Sequence, residues 1–201
     1  MSVRMAPGER RDAIVAAALA MARRKGLGAT TVRDVASEMG TSSGLIHHYF
    51  DSMDDVLAAA FDRAASDDLA RTTEAMAEDT DPVGKLVAFF DNYSVAGSDW
   101  TFQLWLDAWA EAGRRPAVGA TSERLNIAWQ QLLAGTLKEG VAAGVFDCPD
   151  PDATAWRIIS LLDGLSLQVV AHQATLARET VSSWIRSFAE SEAGLAAGTL
   201  R

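Results

Sequence analysis

Apolar residues recur at helical spacing along almost the whole chain, and no stretch alternates apolar with polar positions as a half-buried strand would. Glycines and Asp-Pro or Arg-Pro pairs interrupt this pattern, with proline where the first residue of a helix is expected. The pattern predicts an all-α fold of about nine helices. The Ala/Gly-rich tail after residue 192 is expected to be frayed.

The segment 31–50 has the pattern of two short helices joined by a tight turn. Thr31 and Asp34 have the spacing of a capping box, and Gly40 is placed to end the first helix. The three hydroxyl residues that follow are suited to cap the second helix, whose solvent side carries small hydroxyls, a glycine and hydrogen-bonding rings. This is the layout of a helix-turn-helix, although an ordinary helical hairpin has the same pattern.

The helices on either side favour the DNA-binding interpretation. Residues 10–25 form an amphipathic helix, and Ser52 with Asp55 repeats the capping pattern before a helix that runs to about residue 79. Together the four helices resemble the N-terminal domain of the TetR family of transcriptional regulators. The run from Gly40 to Phe50, GTSSGLIHHYF, matches the family motif.

The resemblance implies roles for individual residues of this segment. Phosphate contacts are implied for Thr31, His47 and Tyr49, and positions nearest the bases for Ser42, Ser43, Gly44, Leu45 and His48, with Thr41 in the same surface. Met53 stands where the family usually has a lysine, and a methionine side chain cannot donate to a phosphate. His47 stands where tyrosine is common, and because histidine gains or loses its charge near neutral pH, we expect mildly pH-dependent phosphate affinity.

Charge is unevenly distributed along the chain. Residues 1–50 carry seven Lys or Arg against four Asp or Glu, a net of +3, whereas the remaining residues carry a net of −12. This balance supports local phosphate binding rather than general coating of nucleic acid. The single Cys148 excludes an internal disulfide and fits the cytoplasm, and no apolar run is long enough to span a bilayer.

The sequence carries no signature of catalysis. It lacks a phosphate-binding glycine loop, a zinc-binding His-Glu-x-x-His and a nucleophile elbow, and its three histidines have no supporting partners. We therefore expect neither an enzyme nor a cofactor or metal site. A helical protein-binding adaptor, or a ligand-binding bundle without specific DNA binding, remains the alternative to a regulator.

Two helices near the C-terminus indicate a homodimer. Between residues 158 and 171 apolar side chains cover nearly the whole circumference of the helix, which therefore needs burial on two sides. The next helix has one apolar stripe, so the pair is suited to a four-helix interface with a second copy, although the centre of a monomer core would give the same pattern. The expected interface residues are Trp156, Ile159, Leu162, Gly164, Leu167, Val170, Val181, Trp184, Ile185 and Phe188.

Aromatic residues and acids are interleaved in the C-terminal part. Aromatic faces beside a carboxylate suit an organic cation, and Asp163, inside the apolar helix, needs a partner, a ligand or protonation. Core packing of the tryptophans is the alternative. The candidate ligand residues are Tyr93, Trp100, Trp105, Asp107, Trp109, Trp129, Asp163 and His172. This part is similar to choline-responsive regulators of the BetI type, which implies a cationic or amine effector, while a neutral hydrophobic effector stays open.

These patterns predict two domains. Residues 1–52 are expected to bind DNA, and residues 53–201 to bind the effector and dimerise, with the helix 53–79 connecting the two. The resemblance implies a repressor whose dimer reads a pseudo-palindromic double-stranded operator with two recognition helices about one turn of B-DNA apart. We expect the effector to tilt the connecting helix, alter that spacing and release the DNA.

Overall fold

The computed structural model describes residues 6–94, 99–172 and 176–201, with only the backbone described at residues 93, 94 and 99. Its helices are α1 (Pro7–Lys25), α2 (Val32–Glu38), α3 (Ser43–Tyr49), α4 (Met53–Ala77), α5 (Pro82–Ser94), α6 (Asp99–Ala112), α7 (Pro116–Ala142), α8 (Pro151–Ala171) and α9 (Arg178–Glu192). These ranges contain nine helices and no strand, which confirms the predicted all-α fold.

Local sequence signals explain where several helices begin. Helices α5, α7 and α8 each start at a proline, whose fixed φ suits the first helical position. At the start of α2, the Asp34 N–H donates to Thr31 Oγ1 at 3.3 Å, and the Thr31 N–H donates to Asp34 Oδ2 at 2.8 Å. At the start of α4, the Asp55 N–H donates to Ser52 Oγ at 3.1 Å. Both predicted capping patterns are therefore confirmed.

The chain folds into two compact units. The first unit holds the residues up to Ser66 together with Gln103–Leu125, and the second unit holds Asp67–Phe102 and Asn126–Arg201. Helices α4, α6 and α7 each contribute residues to both units. The compact units divide the chain within these three helices and not between residues 52 and 53. The domain boundary after residue 52 remains a prediction.

In the first unit, α1 to α4 share one apolar core. Gly40, with φ of +62°, ends the turn after α2 in the left-handed conformation that glycine adopts without strain. This turn lets α3 place its inner face against α1 and α2. The buried core residues are Ile14, Val15, Ala17, Ala18, Val35, Ala36, Ile46, Phe50, Val56 and Ala60.

The second unit has its own core, in which α8 packs against α9 and α9 also packs against α5. Its buried residues include Leu86, Phe89, Phe90, Trp129, Leu133, Leu137, Ile158, Leu162, Val181 and Ile185. Among the described residues, no helix is both long and apolar enough to cross a membrane.

The segment after α9 is ordered, so the expectation of a frayed tail was wrong. The buried Glu190 carboxylate accepts the N–H groups of Gly198 at 2.9 Å and Leu200 at 2.8 Å. Burial alone would raise the pKa of Glu190, but the two N–H donors and nearby arginines hold that pKa below its usual value. Arg186 donates to the Leu200 carbonyl at 2.8 Å, and the Leu200 side chain is fully buried.

Candidate DNA-binding surface and effector site

Helix α3 presents a polar outer face and an apolar inner face. Ile46 within the helix and Phe50 just after it are buried in the core of the first unit. The predicted DNA-contacting positions are exposed at Ser42, Gly44, His47 and His48, and half-buried at Thr41, Ser43, Leu45 and Tyr49. The outer face is therefore accessible along the whole predicted contact surface, although contact with DNA itself stays a prediction.

Ser42 is the residue directly before α3, but its side chain does not cap this helix. Its backbone is extended, as at a helix start, but its side chain makes no capping hydrogen bond to the helix. Of the three hydroxyls that the sequence offered for capping α3, the one at the N-cap position therefore does not cap it. The hydroxyl is exposed and suited to an external acceptor such as a phosphate or a base edge.

Thr31 has a structural role at the start of α2. Its hydroxyl donates to Asp34 Oδ2 at 2.5 Å, and the Lys25 ammonium lies 2.7 Å from the same oxygen. The hydrogen bond from Lys25, followed by those from Thr31, lowers the pKa of Asp34 to about 2. Since a threonine has one hydroxyl proton, a phosphate would have to compete with Asp34 for it. The predicted phosphate contact of Thr31 remains a prediction.

Arg11 contacts the end of α3, a contact that the sequence analysis missed. Its Nη1 donates to the carbonyl of Tyr49, the last residue of α3, at 3.0 Å. The guanidinium also lies 4.0 Å from the centroid of the Phe50 ring. A cation at the carbonyl end of a helix and over an aromatic face stabilises both. The residues are 38 positions apart, so helical periodicity could not signal the contact.

Met53 packs against the core of the first unit and is partly buried there. Its side chain is therefore used for packing at the position where the sequence analysis noted the missing lysine. A methionine side chain carries no positive charge, so this position still departs from the family pattern.

Three of the predicted effector residues lie in the first unit. Trp105 is buried with its ring edge-to-face on Phe61 at 4.9 Å, and the Trp109 ring lies 5.6 Å from that of Trp105. Asp107 Oδ2 accepts the Leu27 N–H at 2.8 Å. These contacts give the three side chains packing and hydrogen-bonding roles, which favours the core alternative for both tryptophans.

The other predicted effector residues belong to the second unit. The Trp129 ring packs edge-to-face on Phe89 at 6.0 Å. Trp100 and Asp163 are half-buried, and each has an interaction partner. His172 is exposed at the end of α8, and the side chain of Tyr93 lies outside the described residues. The predicted set is therefore divided between the two units, with three residues in the first and five in the second.

A cavity in the second unit lies between α8 and α9, beside α5 and α6. Its volume is about 40 Å³, enough for one or two water molecules. Among the described side chains, the lining is apolar apart from two serines and an arginine and includes no predicted effector residue. These lining residues are Phe90, Phe102, Leu162, Ser166, Val169, Val170, Arg178, Val181, Ser182 and Ile185. Within the described ranges, no group of three or more His, Cys, Asp and Glu is placed to hold a metal ion.

The predicted interface residues fall into two sets. Ile159, Leu162, Val181 and Ile185 are buried in the core of the second unit, so they already pack within their own protomer. Val170 and Phe188 are half-buried. Trp156, Leu167 and Trp184 are exposed to 39%, 39% and 50%, and Gly164 is also exposed. The surface available to a second copy is therefore narrower than the sequence analysis expected.

A helix-turn-helix with an exposed polar recognition helix, followed by a larger helical region, is typical of a DNA-binding regulator. Comparison with known proteins identifies the family. Residues 14–60 match the model of the bacterial regulatory proteins of the tetR family, and residues 82–194 match the model of the C-terminal region of BetI-type transcriptional repressors. The chain belongs to the TetR family of transcriptional regulators, with a BetI-type C-terminal region. Members of this family are regulators and not enzymes, so the predicted absence of catalysis agrees with it.

Individual relatives agree with this assignment. The chain is 29% identical over 175 residues to the HTH-type transcriptional regulator BetI of Rhizobium meliloti, covering 85% of this chain and 82% of that one. It is 30% identical over 165 residues to BetI 2 of Chromohalobacter salexigens, covering 79% and 76%. A regulator of Saccharomonospora viridis, solved in complex with choline, superposes with a TM-score of 0.81 at 27% identity and covers 91% of this chain and 96% of that one.

Proposed function

We propose that this chain is a repressor that binds a pseudo-palindromic operator as a homodimer and leaves it when a small-molecule effector binds. The observation that carries the proposal is the outer face of α3. Ser42, Gly44, His47 and His48 are exposed there, while Ile46 and Phe50 hold the helix in place. In the proposed complex Ser42, Ser43, Gly44, Leu45 and His48 lie nearest the bases, and His47, Tyr49 and Thr31 approach phosphates.

The exposed apolar residues of α8 and α9 form the proposed dimer surface. Trp156, Leu167 and Trp184 are large apolar side chains that a monomer would leave in water, and such patches commonly mark protein interfaces. Apart from the backbone of its own helix, a methyl group added at Gly164 would meet no atom of the described residues within 4 Å. Because Gly164 is exposed and has no side chain, it permits the close approach of a partner helix in the proposed dimer. A two-fold dimer would present two α3 helices to successive major grooves.

The effector is proposed to bind in the second unit, at the cavity beside Phe90 and Phe102. An amine is the first class to test, because these aromatic faces suit a cation and the structural neighbour from Saccharomonospora viridis contains choline. Since the cavity holds about 40 Å³ as it stands, binding requires it to widen. Widening on binding would link effector occupancy to a shift in helix positions.

Calorimetric titration separates the effector classes. The probes are choline and its neutral isostere, in which a quaternary carbon replaces the nitrogen. Tighter binding of choline than of the isostere supports a cationic effector. Equal binding of both favours a neutral hydrophobic effector, which Arg178 in the cavity lining would tolerate better.

Coupling between the two functions is proposed to run through α4, whose residues belong to both units. An effector that binds better to the dimer with wrongly spaced recognition helices lowers operator affinity. By linkage, the operator lowers the affinity for the effector by the same factor. An effector that binds without changing operator affinity contradicts this mechanism. We place the protein in the cytoplasm, where its free and buried Cys148 stays reduced and its operator is found.

Selection of bound duplexes from a random DNA pool tests the proposal as a whole. The experiment is done near physiological salt, where contacts to phosphates alone become weak. A two-fold symmetric motif supports a dimeric regulator. Recovery of no preferred sequence by the folded dimer contradicts specific DNA binding and returns the adaptor interpretation.

A further inference from the structure

The carboxylate of Asp107 on α6 binds the loop between α1 and α2. Its Oδ2 accepts the backbone N–H of Leu27 at 2.8 Å, and its Oδ1 accepts Gln103 Nε2 at 3.0 Å. Leu27 is fully buried, so the loop is anchored both by its side chain and by this hydrogen bond. All three residues lie in the first unit. A hydrogen bond to a charged acceptor stabilises more than one between neutral groups.

Two glycines let the loop approach α6 this closely. Gly26 has φ of +90°, and a Cβ there would lie 3.2 Å from Asp107 Oδ2. A Cβ at Gly28 would lie 2.6 Å from Glu111 Oε1, one helical turn further along α6. The loop therefore has no side chain at the two positions that face the two carboxylates. At Gly26 the positive φ also favours glycine, and at Gly28 an added side chain would push the Glu111 carboxylate out of its place.

Glu111 extends the same acidic face to the start of α4. Its Oε2 accepts Arg115 Nε at 2.9 Å, and Arg115 Nη1 donates to Asp54 Oδ1 in the first turn of α4. Hydrogen bonds from Arg114 and then Arg115 hold the pKa of Glu111 below its usual value. One face of α6 is thus tied to both ends of the segment that contains α2 and α3.

We propose that Asp107 is a positioning residue for operator binding, a role that rests on the proposed function. It touches no DNA in this role. By holding Leu27 it fixes the loop that leads into α2, where Thr30 Oγ1 donates to the Gly26 carbonyl at 2.9 Å. The angle at which α2 and α3 leave α1 then depends on a carboxylate of α6. Asp107 is therefore assigned to the DNA-binding function and not to the effector site.

Electrostatics and positioning predict opposite effects of removing this carboxylate. Loss of a negative charge from a DNA-binding protein strengthens its attraction to phosphates, for any DNA sequence. Loss of the loop anchor instead weakens only the binding that needs correctly placed recognition helices. The direction of the change in DNA affinity, and whether it depends on the DNA sequence, therefore distinguish an electrostatic role of Asp107 from a positioning role.

The test compares Asp107→Ala with Glu123→Ala, which removes an exposed carboxylate from α7 in the same unit. The probes are the duplex selected by the unmodified protein and a duplex of scrambled sequence, both at physiological salt. We expect Asp107→Ala to bind the selected duplex about tenfold more weakly, with unchanged or slightly tighter binding of the scrambled one. Asp107→Asn, whose amide oxygen still accepts from Leu27, should recover most of the affinity.

Unchanged or tighter binding of the selected duplex by a folded Asp107→Ala protein overturns the positioning role, and so does an Asp107→Asn protein as weak as Asp107→Ala. If Asp107→Ala does not fold, the test compares Asp107→Asn with the unmodified protein. A hydrogen bond from the Leu27 N–H to the amide oxygen predicts that Asp107→Asn binds the selected duplex within about threefold of the unmodified protein. An unmodified protein that selects no sequence overturns the proposed function itself, and the positioning role with it.

Discussion

Single side chains at the two ends of the segment that contains α2 and α3 hold these helices in position. The Asp34 carboxylate completes the capping box of α2 and binds Lys25 at the end of α1, and Arg11 donates to the last carbonyl of α3. Neither residue belongs to the set expected to contact DNA. Both act on the helices that present that set, which makes their effects measurable as stability and as affinity.

Arg11 should matter for operator binding without contributing a phosphate contact. Replacing it by alanine removes a bond to Tyr49 and a stacked cation over Phe50, which together stabilise by about 1 kcal/mol. We expect the end of α3 to loosen and operator affinity to fall about fivefold to tenfold. Arg11→Lys should recover part of this loss, because it keeps the charge but loses the planar stacking.

Affinity measured over a series of salt concentrations checks this assignment. The positioning role predicts the same salt slope for Arg11→Ala as for the unmodified protein, whereas a lost phosphate contact lowers the slope by about one. Arg71→Ala, which removes an exposed arginine paired with Asp68, is the control and should leave affinity unchanged.

Asp34 gives the fold a dependence on acid pH. The partners Lys25 and Thr31 lower its pKa from 3.8 to about 2, so its ionised form stabilises the folded state. This contribution is complete above pH 4 to 5 and is lost as the pH falls through the folded-state value. The difference in free energy of unfolding between the unmodified protein and Asp34→Asn should therefore shrink between about pH 4 and pH 2. Urea titrations at several pH values measure it, and a difference independent of pH contradicts the assignment.

At the scale of helices, the sequence predicted what depends on local chemistry. The three prolines, the two capping boxes and Gly40 act on their immediate neighbours, so their positions could be inferred from spacing. The inner and outer faces of α3 followed from periodicity for the same reason. The ordered tail could not be inferred, because Leu200 is held by Glu190 and Arg186 of another element and its own composition is typical of frayed ends.

The tertiary contacts of the predicted effector residues were also beyond local reasoning. Composition placed Trp105, Asp107 and Trp109 with other aromatics and acids, but their partners Phe61 and Leu27 are distant in sequence. A carboxylate used to hold a backbone N–H has the same sequence signal as one that faces a cation. Only tertiary packing distinguishes the two.

Helix α8 offers a prediction that separates folding from dimerisation. Gly164→Ala adds a methyl group that meets no described atom within 4 Å outside the backbone of its own helix. Alanine stabilises a helix by about 1 kcal/mol relative to glycine. The protomer should therefore become more stable. If α8 crosses a partner at this glycine, the methyl group crowds that contact and weakens the dimer about tenfold.

Gly135→Ala in α7 is the matched control, because its added methyl group also meets no atom within 4 Å and it lies outside the proposed interface. Sedimentation at several concentrations measures dimer dissociation for both variants. Equal dissociation constants for Gly164→Ala, Gly135→Ala and the unmodified protein contradict the placement of the interface on α8.

For the whole molecule, family membership and fold support one account. A tetR-type segment at residues 14–60 and a BetI-type region at residues 82–194 cover most of the chain, and the second part includes helices whose residues belong to both compact units. The charges follow a similar division, because residues 1–50 are basic and the remaining residues are acidic. Localised positive charge steers binding to DNA, and the acidic remainder limits attachment to unrelated sequences.

The affinity ratio between the selected duplex and its scrambled counterpart tests the central claim most directly. We predict at physiological salt a ratio of about a thousandfold or more, with two protomers bound per selected duplex. A ratio near one, measured with folded dimeric protein, would contradict specific operator recognition by the outer face of α3.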